Sequence, residues 1–123
     1  MTLRLLHGTF SIARYPADAQ LGPLATREFC SITRTRNELT VVCETDFLPA
    51  GIQKREDGWV VLEVEGLLDF DLTGILSAIA GPLAKAEVSI FAVSTFDTDY
   101  VLVKRAFLDK ARRVLTKAGI TVA

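Results

Sequence analysis

Two short stretches of this chain gather the residue types that hold a small doubly charged molecule. Asp71-Leu72-Thr73-Gly74-Ile75 opens an amphipathic segment, and Thr95-Phe96-Asp97-Thr98-Asp99 makes a turn between two apolar runs. The backbone N–H groups of a first helical turn have no partner within the helix, and the helix dipole adds positive potential there. The amides at Leu72, Thr73, Gly74 and Ile75 therefore suit a carboxylate. Gly74 lets a ligand approach the backbone, and Thr73 adds a hydroxyl. On the other side, Asp97 and Asp99 suit an ammonium or guanidinium group, Thr95 and Thr98 offer neutral hydrogen bonds, and Phe96 can cover an aliphatic stem. Arginine, lysine and ornithine have this charge pattern. Each residue also has a structural reading: Asp71 as a helix cap, Gly74 as a close-packing position, the two aspartates as turn formers, and Phe96 as a core plug.

Other chemistry finds little support. His7 is the single histidine, which rules out a Cys/His metal cluster and leaves any triad without a nucleophile motif. Asp69 with Asp71, or Asp97 with Asp99, lacks the spacing of a calcium loop, and no glycine-rich phosphate loop is present. No catalytic residue, metal or cofactor is expected. Cys30 and Cys43 lie in strand-like runs without zinc or redox spacing and read as buried free thiols, which suits a reducing compartment. The opening residues are too quickly interrupted by charge for a signal peptide, and no apolar run approaches the roughly 20 residues of a membrane span. The expectation is a cytoplasmic protein with no membrane association.

The elements that must position the two stretches are legible in the hydrophobic pattern. Val60–Val64 reads as a strand leading into the first stretch. Leu72, Ile75, Leu76, Ile79 and Leu83 then place one apolar stripe on a helix of about 15 residues, capped by Asp71 or Thr73. Gly81-Pro82 should bend or loosen its end. Val88–Val93 and Tyr100–Val103 read as strands, and Phe107–Ala118 as a helix that buries Phe107, Ala111, Val114, Leu115 and Ala118 and ends at Gly119. Ile120–Val122 can add an edge strand. This order is β-α-β-β-α-β, the ferredoxin-like α+β arrangement.

The first half looks like a reduced copy. Leu3–Leu6 and Phe10–Tyr15 read as short strands, Pro16–Pro23 as a loop, and Glu28–Arg34 with Leu39–Glu44 as a hairpin. An offset of 61 lays this hairpin over the second, pairing Ile32 with Val93, Glu38 with Asp99, Leu39 with Tyr100 and Val42 with Val103. About ten fewer residues precede it, so the first helix must shrink to a turn. Asp46–Gly58 reads as a short helical turn and linker, which sets the seam: a degenerate unit over 1–57 and a complete unit over 58–123. A chain of 123 residues is short for two independent domains, so both should pack as one body.

The run Gly66-Leu67-Leu68-Asp69-Phe70-Asp71-Leu72-Thr73-Gly74-Ile75-Leu76, followed by Ile90-Phe91-Ala92-Val93-Ser94-Thr95-Phe96-Asp97-Thr98-Asp99-Tyr100-Val101-Leu102-Val103, resembles the ACT-domain family. The likeness is strongest to small tandem-ACT proteins of bacteria, related to the regulatory domains of aspartate kinase and to cytosolic arginine sensors. Phe29-Cys30-Ser31-Ile32-Thr33-Arg34-Thr35 fits the same group. The resemblance implies a non-catalytic regulatory module that binds a free amino acid between the loop before the first helix and a strand of an adjacent ACT unit. It also implies two tandem ACT units, a homodimer, and output through an enzyme or regulatory protein. The competing reading is a ligand-free interaction module acting in trans on an amino-acid biosynthetic enzyme.

Composition fits either reading. Half the residues are hydrophobic and 24% are charged, enough for a full core with little disorder. The net charge of −1 disfavours nucleic acid as a partner, and the strands lack the aromatic platform of an RNA-binding sheet. Trp59, at a strand start after Gly58, is expected to anchor the core or a dimer contact.

Overall fold

The computed structural model describes residues 1–65 and 73–123. The chain divides into two compact units, His7–Trp59 and Met1–Leu6 with Val60–Ala123.

The larger unit is built on β5 (Lys54–Val64, of which Val60–Val64 belong here), α1 (Ile75–Lys85), β6 (Ile90–Ser94), β7 (Asp99–Lys104), α2 (Leu108–Lys117) and β8 (Thr121–Val122). This is the expected β-α-β-β-α-β order. The sheet runs β6-β7-β5-β1-β8, where β1 is Thr2–Leu5. β1 is the departure from the sequence reading. Its place in the sequence puts it with the first half, yet it pairs antiparallel with β5 (Leu3 opposite Val64) and parallel with β8 (Leu3 opposite Val122). A four-residue strand gives no sequence sign of which partner it will find, since pairing is decided by the edges available to it.

Period-2 alternation sends Leu3, Val60, Leu62, Val64, Val101 and Val103 to one face, where Ile79 and Leu83 of α1 and Ala111 and Leu115 of α2 meet them. Burying each large aliphatic side chain contributes about 1.5–3 kcal/mol, which is why both helices settle on this face. α1 is shorter than its apolar stripe suggested, because its N-cap is Gly74 with no side-chain cap bond. Asp71 as a cap and Leu72 as a stripe member lie outside the described residues. The helix continues through Pro82 as far as Lys85. In α2, Ala111 and Leu115 are buried as expected, whereas Phe107 is 44% exposed and Ala118 is exposed. A 3-10 turn at Arg105–Phe107 rotates Phe107 off the helical stripe, and Leu108 packs on the core instead.

In the smaller unit β2 (Phe10–Tyr15) lies between β4 (Leu39–Glu44) and the first part of β5, and β3 (Cys30–Arg34) pairs with β4. Ala13, Tyr15, Leu39, Val41 and Cys43 form its core, covered by Leu21, Leu24, Phe47, Leu48 and Ile52 from loops. A turn closed by Ala19 N–H to Pro16 O stands where the larger unit has α1, as the shortened spacing required. The segment read as a helical turn and linker ends in strand, for β5 begins at Lys54. Its register against β2 shifts between Phe10 and Ile12, with Asp57 and Gly58 forming a bulge. Gly58 has φ of 80°, a conformation that favours glycine, so a glycine read as a breaker lies inside a strand. Trp59 is buried beside it, opposite Phe10, whose ring meets Phe29 edge-on at 6.4 Å.

The two hairpins correspond at an offset of 60, not 61. Thr35 N–H donates to Glu38 O at 2.9 Å, and Thr95 N–H to Thr98 O at 2.8 Å. Strands and 3-10 turns follow the same offset: Leu39–Glu44 matches Asp99–Lys104, and Thr45–Phe47 matches Arg105–Phe107. A slip of one residue exchanges the two faces of a strand, so the offset of 60 sets Val41 on Val101, Val42 on Leu102 and Cys43 on Val103. Both cysteines are free thiols; Cys43 is buried and its thiol is pushed up to about 12, first by that burial, while Cys30 opposite it is half-buried.

Candidate functional site

α1 supplies the amide end of the predicted site. Its first intrahelical bond runs from Ala78 N–H to Gly74 O at 2.8 Å. The donors left without a helical partner are therefore those of Gly74, Ile75, Leu76 and Ser77. Of the four amides expected, Gly74 and Ile75 are among these, and Leu76 and Ser77 join them. Thr73 and Gly74 are exposed just before the helix, and Asp71 and Leu72 lie outside the described residues. Gly74 adopts φ of 79°, and nothing lies within 4 Å of where a Cβ would stand. Left-handed backbone, not close packing, is what demands glycine there.

The acidic turn comes from the β6–β7 hairpin. Thr95 and Thr98 brace each other: Thr95 Oγ1 donates to Thr98 O at 3.0 Å, and Thr98 N–H donates back to Thr95 Oγ1 at 3.3 Å. Thr98, only 7% exposed, also donates its hydroxyl to Val64 O at 2.8 Å. Both threonine hydroxyls expected to face a ligand are thus engaged in holding the turn. What the turn presents outward is Phe96, which is 80% exposed and so no core plug, and Asp97, with Asp99 half-buried at the start of β7.

The bond from Thr98 to Val64 fixes where the acidic turn lies. Val64 is the last residue of β5, and α1 is the next element in the chain. The acidic turn is therefore held at the C-terminal end of β5, the strand that precedes α1 in the chain. Behind the turn, Tyr100 donates its hydroxyl to Glu63 Oε2 at 3.0 Å, and Arg4 holds Glu63 Oε1 through Nε and Nη2 at 3.2 and 3.0 Å. Burial, then the Glu63 carboxylate that accepts its proton, push the Tyr100 phenol up, so it stays a neutral donor. Sequence reasoning missed this trio. Its members are far apart in the chain, and only the placement of β1 beside β5 brings Arg4 to Glu63.

A separate cavity of about 480 Å³ lies in the smaller unit, lined by Arg27, Glu44, Asp46, Phe47 and Asp57 among others. Its acids are largely committed. Glu44 accepts from the N–H groups of Arg27 and Glu28 and from the Thr26 hydroxyl, and Asp57 accepts from Ser11 and Arg55. Arg27 stacks over the Phe47 ring at 5.4 Å.

A family model described as "ACT domain" matches residues 54–117. The chain belongs to the ACT-domain family. A second model, described as an N-terminal domain, matches residues 8–51. This ACT-domain chain is 36% identical to a crystal structure of an Agrobacterium tumefaciens protein, with a TM-score of 0.91 and coverage of 99% of this chain and 91% of that one. The ligand-free regulatory subunit of aspartate kinase from Thermus thermophilus shares the fold, with a TM-score of 0.57 at 14% identity, covering 93% of each chain. Among curated proteins, the human cytosolic arginine sensor for mTORC1 subunit 1 is 38% identical over 60 residues, which is 48% of this chain and 18% of the sensor. The likeness thus spans under a fifth of that relative's length. The fold is α+β, with the ferredoxin-like arrangement of ACT domains. No helix among the described residues is long and apolar enough to cross a membrane.

Proposed function

We propose that this chain is a non-catalytic sensor of a free amino acid, which binds where the start of α1 meets the acidic turn. The observation that carries this reading is the Thr98–Val64 bond, which holds Asp97 and Asp99 at the end of the strand that leads toward α1. The amides of Ile75, Leu76 and Ser77 receive the α-carboxylate, and the carboxylates of Asp97 and Asp99 receive the cationic groups. Phe96 lies along the aliphatic stem. Thr73 and Gly74, exposed just before the helix, flank the carboxylate end of the ligand. Family membership supports a regulatory amino-acid-binding role, and likeness to an arginine sensor supports a cationic side chain. Arginine, lysine and ornithine are the candidates. The protein works in the cytoplasm as a homodimer, passing its state to an enzyme or regulatory protein.

A thermal-shift screen of the whole protein against the twenty amino acids and ornithine tests this. The expected result is a concentration-dependent rise confined to cationic amino acids, with affinity between about micromolar and millimolar, and its loss in Asp99→Ala. Flat curves at millimolar concentrations of every amino acid would overturn the sensor reading in favour of an interaction module.

A further inference from the structure

The stretch from Lys104 to Lys117 carries six basic residues, Lys104, Arg105, Lys110, Arg112, Arg113 and Lys117, against one acid, Asp109, in a chain whose net charge is −1. Elsewhere most cations are engaged, Arg4 with Glu63, Arg14 with Glu38, Arg55 with Asp57, Arg34 with the carbonyls of Ala17 and Ala19, and Arg27 over Phe47, the exceptions being Arg36, Lys54 and Lys85. The side chains of Lys85, Lys110, Arg113 and Lys117 have no ion-pair or hydrogen-bond partner among the described residues. Three of these, Lys110, Arg113 and Lys117, share one side of α2 for a geometric reason. On α2, Lys110, Val114 and Ala118 follow at steps of four, and Arg113 and Lys117 form the adjacent row. Val114, Lys117 and Ala118 line a groove of about 470 Å³ with Gly81, Pro82 and Lys85 of α1. Its floor is apolar and its rim is cationic. The lack of a side chain at Gly81 keeps it open.

We propose that this groove is the docking face for an acidic amphipathic helix of a partner protein. Apolar side chains spaced three or four residues apart on the partner enter between α1 and α2, while its carboxylates meet Lys85, Lys110, Arg113 and Lys117. The alternatives fit less well. A second copy presenting the same face would set cation against cation. A bilayer needs protruding apolar side chains, and none of the exposed large hydrophobic residues, Met1, Ile32, Phe96 and Phe107, lines the groove. Nucleic acid would leave the recessed apolar floor unused. The lysines in the last helical turns also complement the helix dipoles, but that role gives no reason for Lys110 or Arg113.

The test uses the whole protein and a fluorescein-labelled helical peptide with leucines at i, i+4 and i+7 and glutamates on the flanking positions. Two control peptides replace glutamate by lysine and leucine by serine. Fluorescence anisotropy should show binding of the acidic leucine peptide alone, weakening as salt rises. Backbone amide NMR should place the perturbed residues at Gly81, Lys85, Val114, Lys117 and Ala118. The double variant Lys85→Gln/Lys117→Gln, and separately Gly81→Leu, which fills the groove and favours helix, should each weaken binding by about tenfold or more with the fold intact. Any thermal shift produced by an amino acid should persist in both variants. No binding at millimolar peptide, equal binding of the serine peptide, NMR shifts confined elsewhere, or preferential binding to phosphatidylserine vesicles would overturn the proposal.

Discussion

Glu44 shows how one carboxylate can fix a loop that has no regular structure of its own. It is 8% exposed and works against burial, which alone would raise its pKa; donation from the N–H groups of Glu28, its own residue and Arg27 and from the Thr26 hydroxyl more than offsets this and holds the pKa below the usual value of 4.5. The charged form is therefore the one that the folded state favours. A carboxyl depressed on folding contributes its full stability above the unfolded pKa and loses it as pH falls through the folded pKa. Glu44→Gln keeps an acceptor for the two backbone amides but removes the charge. Urea denaturation at pH 7 should find the variant less stable by about 1–2 kcal/mol, with the gap closing as pH drops below 4.5. A gap that stays constant from pH 7 down to pH 3 would mean that the carboxylate is not what ties Thr26–Glu28 to β4. None of this was legible in the sequence, where Glu44 is simply the last residue of a strand. At the candidate site the residue types were legible, but not which polar atoms the fold consumes. The hydroxyls of Thr95 and Thr98 looked like ligand contacts and are engaged by Thr98 O and Val64 O.

The two helices of the larger unit end in the same way, with one difference in residue. After α1, Val88 N–H donates to Leu83 O at 2.9 Å and Glu87 N–H to Ala84 O at 3.0 Å. After α2, Ile120 N–H donates to Leu115 O at 2.9 Å and Gly119 N–H to Thr116 O at 3.0 Å. Both are Schellman endings, and both tuck an apolar residue, Val88 or Ile120, into the core. The turning residue has φ of 89° at Gly119 but 61° at Glu87, where an L side chain pays a steric penalty. Replacing Glu87 by glycine should therefore stabilise the protein by about 0.5–1 kcal/mol, read as a higher denaturant midpoint at unchanged slope. A decrease would show that the Glu87 side chain makes a contribution exceeding its backbone strain. Gly119 announced its helix end in the sequence and Glu87 did not, which is why the second ending was legible and the first was not. The same limit applies to the repeat. Side-chain similarity suggests an offset of 61, whereas backbone bonds in the two turns fix 60, because weak similarity cannot resolve a one-residue slip between runs as uniformly buried as Val41–Cys43 and Val101–Val103.

Across the whole molecule, the larger unit is assembled from both ends of the sequence. Without β1, the C-terminal β8 would lose its ladder partner, and β5 would lose the neighbour that pairs Leu3 with Val64 and Arg4 with Glu63. Leu3 is fully buried among the residues that carry α1 and α2. A division at residues 57 and 58, the seam suggested by composition, separates this strand from the unit it completes. The β-α-β-β-α-β order was legible because its helices are long and periodic, but a strand of four residues carries too little pattern to reveal a partner some sixty positions away. A fragment starting at residue 58 should accordingly show reduced helicity, a broad thermal transition and rapid proteolysis near residue 120. The same fragment with Met1–Leu6 restored, fused ahead of Trp59 through a flexible linker, should recover a cooperative transition. Loss of Leu3 alone, as Leu3→Ala in the whole protein, should cost about 2–5 kcal/mol. If the fragment without β1 unfolds as cooperatively as the restored one, the fifth strand is an accessory to the sheet, and the unit folds on the four strands that its sequence order implies.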